Sequence, residues 1–170
     1  LDVGDGEHFV LTRVCTHDEA ERWMANNTFK INATTNALEL MDTLAGWLKT
    51  LTGMPAVAMS PAAGAHGELT GILMMKAYHR DHGGPARDTA IVPDSGHGTN
   101  LASAAMAGYR VVELPSSPRG LVDMDALRAS LSEKTAAVML TNPNTLGLFE
   151  EDVLEISRLT HEAGALCYYD

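Results

Sequence analysis

Four places in this sequence carry side chains and spacings suited to holding an anionic, aromatic ligand. The first is Ser60-Pro61-Ala62-Ala63-Gly64-Ala65-His66-Gly67-Glu68. Its small residues leave backbone N–H groups open to a ligand at the positive end of a helix dipole, a setting that suits a phosphate. The same residues also make an ordinary tight turn between strand and helix. The second is His97, whose flat ring can stack on another ring or simply hydrogen-bond to its loop. Asn142 and Asn144, in Thr141-Asn142-Pro143-Asn144-Thr145-Leu146-Gly147, offer amide donors or act as turn formers. Asp170 is a carboxylate that can pair with a cationic ring nitrogen or cap the next stretch of backbone.

Other reactive side chains read more plainly. His79 and His82 are spaced i, i+3 around Asp81, as metal ligands can be, but His and Arg at a helix end followed by Gly83-Gly84 are explained by the dipole and a left-handed cap. No metal site is expected. Cys15 and Cys167 lie far apart and form no redox or metal-ligand motif. Cys167 sits in an apolar run and reads as a buried core thiol, and a reducing cytoplasmic compartment fits this cysteine usage.

The scaffold that carries these residues is legible in apolar periodicity. Residues 1–35 are an N-terminal segment of uncertain structure, with a possible strand at 8–13 and a helix from Thr16 to Asn26 opened by a Thr16/Glu19 capping box. From residue 36 onward the pattern is regular. An amphipathic helix spans Leu38 to Leu51 and ends at Gly53. A buried strand is expected at Ala56–Met59, a helix at Leu69–Tyr78, and a strand at Thr89–Val92. A small-residue helix capped by Thr99 or Asn100 runs to Gly108, followed by a strand at Arg110–Leu114 and a helix from Asp123 to Leu131. A strand at Ala136–Leu140, a helix led by Glu150-Glu151-Asp152 and a strand at Ala165–Tyr169 complete the chain. Alternation with short connections predicts an α/β fold with a mainly parallel sheet and helices on both faces.

Composition narrows the function. The 170 residues, 45% of them hydrophobic, suffice for one domain with a continuous core. A formal net charge of −10, with no Lys/Arg cluster, argues against binding nucleic acid or an anionic membrane. No apolar stretch reaches membrane-spanning length, and the acidic start Leu1-Asp2-Val3-Gly4-Asp5-Gly6-Glu7 is unlike a targeting peptide. The sequence begins without Met, so a piece of a longer protein is expected.

In an open parallel sheet, ligands bind beyond the carboxyl ends of the strands, where the Gly64 turn, His97, the Asn142–Asn144 loop and Asp170 all fall. A phosphate nest, a stacking ring, an amide donor and a carboxylate together match pyridoxal 5'-phosphate, whose ring nitrogen a carboxylate keeps protonated.

Four runs also carry a family resemblance: Pro61 to Glu68, Val92-Pro93-Asp94-Ser95-Gly96-His97-Gly98-Thr99-Asn100, Leu140 to Glu150, and His161 to Asp170. They closely resemble the glycine cleavage system P-proteins, pyridoxal-phosphate glycine decarboxylases of the aspartate-aminotransferase-like fold (fold type I). The likeness is nearly continuous from Leu38, weaker at 28–35 and absent before that. The resemblance implies that Ala63, Gly64 and Ala65 hold the cofactor phosphate, His97 stacks on the ring, Asn144 faces the phenolic oxygen and Asp170 pairs with the ring nitrogen. Asn142 and His66 are further candidates for the same pocket. It also implies glycine as substrate, release of carbon dioxide, and transfer of the aminomethyl group to a lipoyl-carrying protein, in an oligomer with other P-protein subunits.

Two departures qualify it. The family's Schiff-base lysine follows the position of Asp170, and none of the four lysines, Lys30, Lys49, Lys76 and Lys134, stands in its place. The family's Gly-Ser-Cys-Thr-Met-Lys motif survives only as Asn26-Asn27-Thr28-Phe29-Lys30. Residues 36–170 are therefore expected to be part of the cofactor-binding large domain, without the small domain. A sibling enzyme of this fold, such as a cysteine desulfurase, and a non-catalytic interaction subunit are the alternatives. The isolated chain is expected to release no carbon dioxide from glycine, which a radiometric assay on purified material checks.

Overall fold

Three apolar runs and the partly polar Arg110–Leu114 form one parallel sheet. The computed structural model describes residues 31–32, 37–82 and 86–170. Two compact units divide the chain, 1–63 and 64–170. In the first, β1 (Ile31–Asn32) pairs antiparallel with β2 (Ala37–Leu38), and α1 (Glu39–Thr52) follows. Gly53 ends α1 at φ 70°, as the sequence predicts. The expected strand at 8–13, the helix at 16–26 and residues 26–30 lie outside the described residues.

The second unit holds α2 (Gly64–Asp81), β3 (Thr89–Pro93), α3 (Gly98–Met106), β4 (Arg110–Leu114), α4 (Met124–Ser130), β5 (Thr135–Leu140), α5 (Val153–Glu162) and β6 (Leu166–Tyr169). The four strands lie in the order β4-β3-β5-β6, all parallel. After β4 the chain crosses over β3 to begin β5, so the winding reverses between β3 and β5. At such a reversal, the loops leaving two neighbouring strands diverge and open a crevice.

Alternation along the strands divides the core between the two faces. Ala90 and Val92 of β3 pack with Ile72 of α2 and Ala104 of α3, whereas Ile91 packs with Leu127 of α4 and Ile156 of α5. β3 and β5 are buried along their whole length, as parallel strands covered on both faces must be. At the amino ends of the strands, Arg87 Nη1 donates to the carbonyls of Thr135 (2.6 Å) and Ala163 (3.0 Å), fixing that edge of the sheet.

Four expectations need correction. Ala56–Met59 is not a strand, and none of its residues is buried. An extended run needs a ladder for its N–H and C=O groups, and among the described residues nothing pairs with it. The turn at 64–68 is already helical, because α2 starts at Gly64 rather than near Leu69. The residue at the N-cap position of α3 is His97 rather than Thr99 or Asn100. Glu150, Glu151 and Asp152 precede α5 instead of forming its first turn. Glu150 is buried and accepts from the amides of Val122 and Asp152, while Glu151 pairs with Arg119. Cys167 is only half-buried on β6, and burial pushes its thiol pKa up.

Gly71 marks the closest approach of α2 to the sheet: a Cβ there would lie 2.8 Å from the ring of Tyr168 on β6. Gly71→Ala is expected to cost about 1–3 kcal/mol through overpacking, read as a lower denaturant midpoint at unchanged slope.

Candidate functional site

The carboxyl ends of β3, β5 and β6 meet through one side chain. Thr141, immediately after β5, accepts at Oγ1 from the His97 backbone amide (2.9 Å) and from Asn100 Nδ2 (2.9 Å), and donates to Asp170 Oδ2 (3.3 Å). Asn100 Nδ2 also reaches Asp170 Oδ2 at 3.5 Å. Backbone bonds from Asp170 N to Leu140 O (2.8 Å) and from Asn142 N to Asp170 O (3.0 Å) extend the β5–β6 ladder to this point. Asp170 is thus held at one carboxylate oxygen, and Oδ1 makes no hydrogen bond within the described residues.

His97 leads from this cluster to α2. Its Nδ1 lies 2.5 Å from Thr99 Oγ1, which donates to Glu68 Oε1 at 2.6 Å. Glu68 sits on the turn of α2 that follows its start at Gly64. An unbroken line of hydrogen bonds therefore runs from the start of α2 through Glu68, Thr99, His97 and Thr141 to Asp170. Of the residues the sequence expects at this edge, hydrogen bonds through Thr141 join His97 and Asp170. Ala63 is the last residue of the other unit.

Local sequence explains each placement. His97 lies in the short exit from β3, where Gly96 turns the chain tightly: a Cβ at residue 96 would lie 3.0 Å from the Pro93 carbonyl. Gly64 and Gly67 face open space, so neither α2 nor its neighbours crowd the helix start. Tyr168 lies on the α2 side of β6, and its phenol pKa is pushed up by burial first and then by the carboxylates of Asp170 and Glu68.

The two asparagines behave differently. Asn144 Oδ1 accepts from the amides of Leu146 (3.0 Å) and Leu148 (3.1 Å), and Nδ2 donates to the Gly120 carbonyl (2.8 Å). Its amide thus folds the 144–148 turn and docks it on Gly120. Asn142, which precedes a cis peptide bond to Pro143, accepts from the Glu150 amide at Oδ1 (2.8 Å), while its buried Nδ2 has no partner among the described residues. A buried donor left unpaired is costly.

Sequence reasoning passed over Glu68, Thr99, Asn100 and Thr141. A faint signal existed in Thr99-Asn100 and Thr141 flanking the chosen positions, but side-chain pairing across 29 to 70 residues is not legible in one sequence. The histidines near the end of α2 have other partners: His79 Nε2 meets the Ala136 carbonyl (2.8 Å), and His82 stacks on Tyr78. Lys76 Nζ donates to the Ala107 carbonyl at 2.5 Å.

With this geometry established, similarity to known proteins becomes decisive. Residues 71–170 match the aminotransferase class-V family. The chain belongs to that family. Aminotransferase class-V proteins are pyridoxal-phosphate enzymes, in agreement with the cofactor expected from the sequence. Among curated proteins, it is 56% identical over 134 residues to the "Probable glycine dehydrogenase (decarboxylating) subunit 2" of Thermococcus onnurineus, and 56% identical over 157 residues to that of Thermus thermophilus. These alignments cover 79% and 91% of this chain, but 27% and 33% of the relatives. The chain thus spans about a third or less of the length of these relatives. Solved structures share the fold: alanine aminotransferase from Pyrococcus furiosus (TM-score 0.61, 18% identity, 90% of this chain and 39% of that one) and a Thermus thermophilus aspartate aminotransferase variant (0.60, 21%, 90% and 40%). No helix among the described residues is long and apolar enough to cross a membrane.

Because the Asn144 side chain satisfies three backbone groups, Asn144→Ala is expected to cost about 2–3 kcal/mol, measured by urea unfolding of the variant.

Proposed function

We propose that this chain forms one side of the pyridoxal-phosphate cleft of a glycine decarboxylase, with glycine as substrate and a lipoyl-carrying protein as acceptor of the aminomethyl group. The observation that carries this reading is the line of hydrogen bonds joining the start of α2, His97 and Asp170 at the point where the sheet reverses. The names of the relatives also support it, as does their designation as subunit 2, which points to assembly with another subunit of the same enzyme.

The residues present fit the cofactor. The start of α2 at Gly64 and Ala65 would hold the phosphate, with open space where a side chain at Gly64 would stand. The exposed ring of His97 would stack on the cofactor ring and shield it from water. Asp170, steadied at Oδ2 by Asn100 and Thr141, holds a proton on the ring nitrogen through Oδ1. Asn142, rather than Asn144, would donate to the phenolic oxygen, because the Asn142 amide nitrogen is buried and unpaired among the described residues whereas that of Asn144 is bonded to Gly120. When bound, the cofactor supplies a protonated ring that accepts the electron pair freed as glycine loses its carboxylate.

Titration with pyridoxal phosphate, followed by absorbance in the near ultraviolet, tests this reading. Saturable binding is expected. Asn142→Ala and Asp170→Ala should each weaken it about tenfold or more, as expected for loss of a hydrogen bond to a charged group. An unaltered spectrum with the unsubstituted protein would reject the cofactor assignment.

A further inference from the structure

Glu68 is a carboxylate without an obvious charge partner. It is 3% exposed on the second turn of α2. Its Oε1 accepts from Thr99 Oγ1 at 2.6 Å, and Oε2 lies 3.5 Å from Ser103 Oγ. Among the described residues no Lys or Arg pairs with it, and the nearest group able to carry positive charge is His97, with Nδ1 3.9 Å away and the side chain 58% exposed. A buried carboxylate is kept only where its lone pairs are filled, and here hydroxyls fill them.

The proton inventory then fixes the histidine. Thr99 has one hydroxyl proton, and the shortest, most favourable acceptor for it is the carboxylate of Glu68. Thr99 Oγ1 is left as an acceptor toward His97 Nδ1 at 2.5 Å, so Nδ1 must carry the proton. The competing arrangement, with Nδ1 unprotonated and accepting from the Thr99 amide, has only the longer 3.3 Å contact. One ring nitrogen cannot do both. We propose that Glu68 is a positioning residue: through the Thr99 hydroxyl it keeps Nδ1 of His97 protonated and fixes the tilt of the ring offered to the ligand. This rests on the cofactor reading given above and adds the group that orients its stacking residue. It also gives a reason for a buried acid in α2 that packing alone does not require.

The experiment is long-range proton–nitrogen correlation NMR on protein labelled at histidine nitrogen, at neutral pH and without cofactor. His97 is expected with Nδ1 protonated, whether the ring is neutral or charged. Thr99→Val should convert it to the Nε2–H form, because the only remaining partner of Nδ1 is then a backbone donor, and Thr99→Ser should restore the original form. Glu68→Gln should lower the ratio of Nδ1–H to Nε2–H about tenfold, as expected when a charged acceptor becomes neutral. An unprotonated Nδ1 in the unsubstituted protein, or a ring unchanged by Thr99→Val, overturns the proposal. Pyridoxal-phosphate titration of the same samples separates the two ideas. Affinity about tenfold weaker in Thr99→Val but recovered in Thr99→Ser supports the positioning role, and equal affinity in both overturns it. Absence of binding by every form, including the unsubstituted one, rejects the cofactor reading, while the tautomer result still decides what Glu68 does to His97.

Discussion

The site depends on the hydroxyl of Thr141. That single oxygen uses its full hydrogen-bonding capacity, accepting from the His97 amide and Asn100 Nδ2 while donating to Asp170. It ties the exit of β3, the first turn of α3 and the end of β6 to the residue after β5. Removal of one member of such a fully satisfied node leaves the others unpaired. Asn100, completely buried, already keeps its Oδ1 without a partner among the described residues, so the cluster tolerates little further loss.

Topology makes that node possible. Because the chain moves outward from β3 to β4, then returns across the sheet to lay down β5 and β6, the loops after β3 and β5 leave in opposite directions from adjacent strands. The His97 segment and the Thr141–Asn142 segment therefore border one crevice, with α2 lying over the face shared by β3, β5 and β6. At the opposite end of the strands, Arg87 bridges two backbone carbonyls. One end is braced by a cation against carbonyls, and the other presents amides, hydroxyls and a carboxylate. An acidic protein with net charge −10 can still bind an anion here, since the attraction comes from oriented backbone dipoles a few ångströms away and not from the distant surface charge.

The turn at 144–148 illustrates a division of labour that one sequence cannot express. Asn142 and Asn144 are separated by a single proline and read alike. In the fold, Asn144 closes its own turn and fastens it to Gly120, whose φ of 74° lets the chain pass beside Leu146 and Leu148. Asn142, fixed by the Glu150 amide, retains a buried donor without a partner among the described residues. The two asparagines thus differ in their hydrogen-bond commitments, because these are set by where the backbone turns.

Local sequence was enough to establish the alternation of strands and helices from Thr89 onward, the parallel class of the sheet, and the edge at which His97 and Asp170 emerge. Those features follow from short-range periodicity and from the rule that parallel strands expose their carboxyl ends to ligands. Packing in three dimensions settled the rest. Ala56–Met59 is apolar enough for a strand, yet strands require a ladder, and none is offered to it among the described residues. Glu68 sits in a helical stretch where a glutamate usually faces water, but α3 packs over it and its oxygens turn to Thr99 and Ser103. Contacts that join residues 31 or more positions apart carry no local signature, since they exist only after the sheet has brought their strands side by side.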